Sequence, residues 1–87
     1  MRYSLYIIKS NKSGKYYVGQ TRNLRTRFER HLNGKTSFGK RNKDLEIVYT
    51  KEFTSHIDAR KTERFIKRQK SHIFIDRLIK GEYTIPP

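Results

Sequence analysis

The sequence predicts an α+β fold, with a small three-stranded antiparallel sheet flanked by about three helices. Three observations lead there. Short runs rich in β-branched and aromatic residues occur at 3–9, 16–20 and 45–53. Apolar side chains recur at helical spacing over 24–33 and 56–70, and again after Ser71. The resulting order is strand, strand, helix, strand, helix, helix, and 87 residues are expected to make one domain spanning 1–87.

Each element has its own justification. Tyr3 to Lys9 is β-branched and aromatic and reads as a strand. Ser10 to Lys15 is a polar turn in which Gly14 is free to take a positive φ. Tyr16 to Gln20 then completes a hairpin. Asn23 is the expected N-cap of a helix over about 24–33, with Leu24, Phe28 and Leu32 as its buried stripe and Asn33-Gly34 as its end. Residues 34–43 read as a basic loop containing Gly34 and Gly39. Leu45 to Phe53 gives a third strand around Ile47, Val48 and Tyr49. Ser55-x-x-Asp58 resembles a capping box, with Asp in place of the usual Glu or Gln. It opens a helix over about 56–70 whose inner side is expected to hold Ala59, Thr62, Phe65, Ile66 and Gln69. Ser71 caps a last helix with Ile75, Leu78 and Ile79 inward and Gly81 as its stop.

Charge narrows the function. Lys and Arg number 21 against 8 Asp and Glu, a net charge of +13. The excess is uneven: residues 1–43 carry 12 basic side chains and one acid, Glu29, whereas residues 44–87 carry 9 basic and 7 acidic ones. A one-sided positive field suits a polyanion, whose condensed counterions are released on binding. Solubility needs less charge than this. A membrane-surface protein would call for an amphipathic basic helix or a lipidation signal, and neither is evident. The absence of cysteine removes disulfides, thiolate nucleophiles and Cys-based zinc sites, and fits a cytoplasmic protein. The apolar run Leu5–Ile8 is too short for a signal peptide, and no membrane span is expected.

Several side chains could carry chemistry. Tyr6 and Tyr17 lie on the two hairpin strands, and their phenols are expected to converge at one end of the sheet; the competing expectation is two core aromatics with hydroxyls at the surface. A phenol acts as a general base only where cations stabilise its ionised form. Arg22, Arg25 and Arg27 are the nearby cations. Arg27 and His31 stand one helical turn apart along the edge of the core, where Arg can clamp a phosphate and His can donate a proton. The plainer alternative is a solvated basic helix with an incidental His. Glu63 is either half of an ordinary Glu63–Lys67 surface pair or the carboxylate ligand of one hard divalent ion at the rim of the sheet. His56 and His72 show no metal-ligand spacing and read as residues near helix caps.

Taken together, these residues resemble the GIY-YIG nuclease family, as a stand-alone member. Ser4-Leu5-Tyr6 stands where the family has Gly-Ile-Tyr, and Tyr17-Val18-Gly19 where it has Tyr-Ile-Gly. Asn23 to His31 looks like the family's first helix, with Arg27 and His31 in register, and Ala59 to Glu63 looks like the helix carrying its metal-binding Glu. The resemblance runs from about Tyr3 to Ile79. It departs at Ser4, a glycine in the family motif, and at Gln20, where some members have Lys; Arg22 is the candidate replacement for that cation. The family includes the nicking subunit of bacterial excision repair, phage homing endonucleases, restriction enzymes and stand-alone bacterial domains. The resemblance implies phosphodiester hydrolysis with one divalent metal ion, Mg²⁺ or Mn²⁺. Glu63 would hold that ion, Tyr17 would help activate the attacking water, Arg27 would stabilise the phosphate, and Tyr6 and His31 would orient groups or relay protons.

The leading expectation is therefore a DNA endonuclease or nickase, acting on branched, damaged or single-stranded DNA, with DNA ahead of RNA as substrate and a partner protein or dimer needed for high sequence specificity. The alternative is a basic module that grips DNA or RNA without cutting it, chiefly through Lys40, Arg41 and Lys43, with Arg22 and Arg25 adding to the field. A ribonuclease is a third reading, because contacts to the 2′-OH decide between the two acids.

Overall fold

The computed structural model describes residues 2–85. Its strands are β1 (Tyr3–Ser10), β2 (Tyr16–Thr21) and β3 (Leu45–Phe53). Its helices are α1 (Leu24–Leu32), α2 (Ser37–Arg41), α3 (His56–Gln69) and α4 (His72–Ile79). The sheet is antiparallel with β1 in the centre, in the order β2-β1-β3. Tyr6 pairs with Gly19 on β2 and with Thr50 on β3. Between Ile7 and Ile8 the β1–β3 register slips, from Ile7 opposite Tyr49 to Ile8 opposite Ile47, leaving Val48 as the extra residue of a bulge.

Leu5, Tyr6, Ile7 and Ile8 are all 0% exposed. Side chains alternate across a strand, so four consecutive buried residues require cover on both faces of the sheet. One face holds the apolar core, where Leu5, Ile7 and Val18 meet Ala59 and Ile66 of α3 and Leu78 of α4. The other face takes Tyr6 and Ile8, and there Tyr6 meets His31 of α1. Burial of each such aliphatic side chain contributes about 1.5–3 kcal/mol. The apolar core thus lies on one side of the sheet and the polar aromatic cluster on the other.

The helix starts follow the cap residues. Asn23, Ser55 and Ser71 accept hydrogen bonds from the backbone N–H groups of Thr26, Asp58 and Phe74. Each cap is worth about 1 kcal/mol.

Three expectations need correction. Residues 34–43 are not simply a loop: Thr36 caps α2 by accepting from Gly39 N–H, and the short helix packs against the end of α1. A Cβ on Gly39 would lie 2.1 Å from the His31 carbonyl oxygen, so this approach requires glycine. The α1 stripe is also rotated. Leu32 is 53% exposed and His31 is buried in its stead. A four-residue spacing drifts about 40° per step on a helix of 3.6 residues per turn, so Leu32 has turned well away from the face that Leu24 occupies. On α3, Ala59 and Ile66 are buried as expected, but Phe65 is 40% exposed and Gln69 also faces outward.

Candidate active site

Tyr6, Tyr17 and His31 form one aromatic cluster. The Tyr17 and His31 ring centroids are 4.8 Å apart, Tyr6 and His31 are 6.0 Å apart, and Tyr6 and Tyr17 are 6.1 Å apart. Phe38 of α2 closes one side, 5.3 Å from Tyr17. Gly19 makes the convergence possible: a Cβ there would fall 2.7 Å from the Tyr6 hydroxyl and 3.0 Å from the Tyr17 ring.

His31 lies deeper than the edge of the core, fully enclosed and bonded through both ring nitrogens. Nε2 is 3.2 Å from the Tyr6 hydroxyl and Nδ1 is 2.7 Å from Thr36 Oγ1. Burial, then the nearby charges of Arg27 and Arg30, push its pKa below the usual 6.5. A neutral imidazole suits both bonds, because one nitrogen donates while the other accepts. Tyr6 is pushed up to about 12, chiefly by burial and next by Tyr17; Glu63 adds to the rise and Arg27 opposes it. Its hydroxyl keeps its proton at neutral pH. Tyr17, Arg27 and Glu63 thus each lie within electrostatic reach of the Tyr6 phenol.

Glu63 comes from α3, which covers the opposite face of the sheet. It reaches the cluster along the margin of β2 through Lys67. Lys67 Nζ is 2.6 Å from Glu63 Oε2 and 5.8 Å from the centre of the Tyr17 ring. The Glu63 side chain is only 19% exposed. The cation over Tyr17 is therefore Lys67, one turn beyond Glu63, while Gln20 bonds His56 at 3.3 Å. Ser4, the other departure from the motif, turns to the neighbouring strand and donates to Glu52 at 2.5 Å.

Arg27 lines two adjoining hollows of about 450 and 490 Å³. Arg22, Asn23 and His56 share the first, and Arg30 and Thr36 the second. Arg25 is exposed and pairs loosely with Glu29 at 3.9 Å. Lys40 and Arg41 are exposed in the last turn of α2, and Lys43 is exposed just before β3. Sequence reasoning missed Thr36, Phe38 and the second contact of Lys67. A Thr three residues before a glycine could have signalled the cap; nothing local could have paired Lys67 with Tyr17.

Among the described residues, no group of three or more His, Asp or Glu could hold a metal ion. A multidentate protein cage is thus not formed. The donor set still fits one hard divalent ion of the magnesium kind, which keeps several waters and often takes one carboxylate plus substrate phosphate. The ammonium of Lys67 beside Glu63 marks that carboxylate as a place where positive charge is accommodated.

A likeness to known proteins covers the same features. Residues 2–74 match the family model for the GIY-YIG catalytic domain. A UPF0213 protein of Staphylococcus epidermidis is 33% identical over 67 residues, covering 76% of this chain and 80% of its own length. A UPF0213 protein of Streptococcus pneumoniae is 28% identical over 67 residues, covering 76% of this chain and 67% of its own. The solution NMR structure of a UPF0213 protein from Bacillus halodurans superposes with a TM-score of 0.59 at 25% identity, covering 92% of this chain and 84% of that one. No helix among the described residues is long and apolar enough to cross a membrane. With the motif tyrosines packed together and the family match spanning most of its length, the chain belongs to the GIY-YIG family, and its relatives are small UPF0213 proteins.

Proposed function

We propose that the protein is a metal-dependent endonuclease that hydrolyses phosphodiester bonds of DNA, nicking it or acting on single-stranded or branched forms. The observation that supports this best is the contiguous cluster of Tyr6, His31, Tyr17, Lys67 and Glu63, drawn from β1, α1, β2 and α3. Arg27 stands at its margin in a cationic hollow. A purely structural sheet would not need a buried His–Tyr pair next to a carboxylate and a row of cations.

In this reading Arg27 binds the phosphate and opposes the charge that builds up on its oxygens during attack. The Tyr17 hydroxyl oxygen accepts a hydrogen bond from the attacking water and aligns it with phosphorus. Tyr6 stays neutral and fixes His31, which in turn holds the Tyr17 ring in place. Glu63 would hold the divalent ion, which when bound supplies Lewis-acid stabilisation of the phosphate.

The test is cleavage of labelled single-stranded, duplex and branched DNA, with RNA as a comparison, in Mg²⁺ or Mn²⁺. Glu63→Gln, Arg27→Ala and Tyr17→Phe should each lower the rate by about 100-fold or more, the scale of losing one group that stabilises the transition state. Cleavage that persists in all three variants overturns this mechanism.

A further inference from the structure

Beyond the catalytic cluster, a groove of about 530 Å³ lies beside β2, between α2 and the turn joining α3 to α4. Its lining includes Lys15 and Tyr16 at the start of β2, Phe38 and Arg41 of α2, and Lys70 and His72 at the α3–α4 junction. Phe38 is shared ground, because its ring also packs on Tyr17. Glu63 and Lys67 stand one turn apart on α3 and Lys70 is its left-handed C-cap, so α3 leads from the carboxylate to the groove over about 10 Å along the helix axis.

The groove combines two kinds of group. Lys15, Arg41 and Lys70 supply positive charge, and none of them forms an ion pair within 4.0 Å of an acidic group among the described residues. His72 is exposed and leans on Tyr16, with ring centroids 5.0 Å apart and the two planes tilted by 48°. The Tyr16 hydroxyl donates a short hydrogen bond to Asp76 of α4, which anchors that ring. Asp76 is thereby committed to Tyr16, and burial, followed by this hydrogen bond, pushes the phenol up to about 12. A rigid aromatic platform flanked by cations is the chemistry that binds unpaired nucleotides: ammonium and guanidinium groups track the backbone while bases stack on the rings.

We propose that this groove is a subsite for the single-stranded nucleotides flanking the scissile phosphate. Lys15, Arg41 and Lys70 bind the backbone, and one base stacks on His72 against Tyr16. The subsite rests on the nucleic-acid reading above and deepens it. The strand passes Arg27 and Tyr17, crosses Phe38 and continues into the groove. A duplex, whose bases are already stacked on one another, gains nothing from the His72 platform, so the groove favours unpaired strands.

The experiment measures binding without chemistry. Fluorescence anisotropy follows a labelled oligothymidylate of about 12 nucleotides, and a hairpin duplex for comparison, on the Glu63→Gln protein without added metal. Adding Lys15→Glu, Arg41→Glu and Lys70→Glu together should weaken binding of the single strand at least tenfold. The salt slope should fall by about two, since each neutralised phosphate contributes about 0.7 for a single strand. His72→Ala should cost about tenfold on the single strand and little on the duplex, and His72→Phe should restore it. The control is Lys61→Glu, Arg64→Glu and Arg68→Glu on the outward face of α3, with the same change in charge; it should leave most of the affinity intact. Equal losses in the two triple variants, or an unchanged affinity in the groove variant, overturn the subsite. The melting temperature of each variant shows that a loss is not unfolding, and these exposed positions should leave it nearly unchanged. Absence of cleavage in wild-type protein would sink the nuclease reading while leaving this binding result standing. Cleavage by the wild-type protein, together with unchanged binding in the groove variants, would do the reverse.

Discussion

Lys67 reaches back one helical turn to Glu63, with Nζ 2.6 Å from Oε2, and the same ammonium sits 5.8 Å from the centre of the Tyr17 ring. Seen along the helix alone this is an i,i+4 pair worth about 0.3–0.5 kcal/mol. Its importance lies in position. The carboxylate that would hold a divalent ion already has a monovalent cation on it, so an ion bound there would compete with the lysine.

Lys67→Met should therefore lower the Mg²⁺ or Mn²⁺ concentration that gives half-maximal cleavage by several-fold. The maximal rate should fall as well, because the positive charge beside Tyr17 is gone. Cleavage measured across a metal titration separates the two effects. Stability should change by about 0.5 kcal/mol or less, as for a surface pair. An unchanged metal dependence would show that Lys67 does not compete at Glu63.

His31 predicts an acid-side loss of stability. Its folded pKa lies below the 6.5 of the unfolded chain, for reasons of burial first and of Arg27 and Arg30 second. Below about pH 6.5 the unfolded chain takes up a proton that the folded chain refuses, so acidification favours unfolding. Stability should be level with respect to this group above that value and should fall as pH drops towards His31's own lower pKa. The limiting slope is about 1.4 kcal/mol per pH unit. Urea unfolding of wild type and His31→Asn between pH 7 and pH 5 should show the steeper decline in wild type.

Thr36→Val removes one hydroxyl and two hydrogen bonds while keeping the side chain's shape. Gly39 N–H loses its cap and His31 Nδ1 loses its partner inside the protein. The expected cost is about 2–3 kcal/mol, against a few tenths for Thr36→Ser. The denaturation midpoint should move with no change in the slope of the transition.

Two alanine substitutions should fail in different ways. In Gly39→Ala the new Cβ meets the His31 carbonyl at 2.1 Å, and backbone cannot swing aside. The short helix must leave its place, at a cost of about 3 kcal/mol. In Gly19→Ala the clash is with the Tyr6 hydroxyl at 2.7 Å, the far end of a side chain, and easing it breaks the bond to His31. The second variant should remain folded and lose far more cleavage than stability. Thermal unfolding and cleavage measured on both proteins check the contrast.

Strands and caps are legible in the sequence because their signals are local. Asn23, Ser55 and Ser71 each announce a helix start, and the β-branched and aromatic run from Tyr3 to Lys9 announces β1. What escaped depends on distant partners. A five-residue helix has no period to detect, so the sequence of α2 reads as a loop. The burial of His31 is not legible locally, because Tyr6, the phenol that makes it tolerable, lies on another element. The spacing of Glu63 and Lys67 allows their pairing, but the position of Lys67 over Tyr17 is set by the way α3 crosses the sheet. Tyr6, Tyr17, Arg27, His31 and Glu63 came together as candidates only through the motif spacing. Composition alone supplied the polyanion and nothing of the geometry.

The middle strand carries one last implication. Because β1 is hydrogen-bonded along both sides, its amides can exchange with solvent only when the sheet itself comes apart. Tyr6 therefore belongs to the slowest-exchanging part of the molecule, whereas Lys67 rides on the last turn of a helix that can fray from its C-terminal end, beyond buried Ile66. Deuterium uptake should rank β1 last and the end of α3 among the first. Warming the protein would then free the Lys67 ammonium from the carboxylate long before it disturbs the phenol.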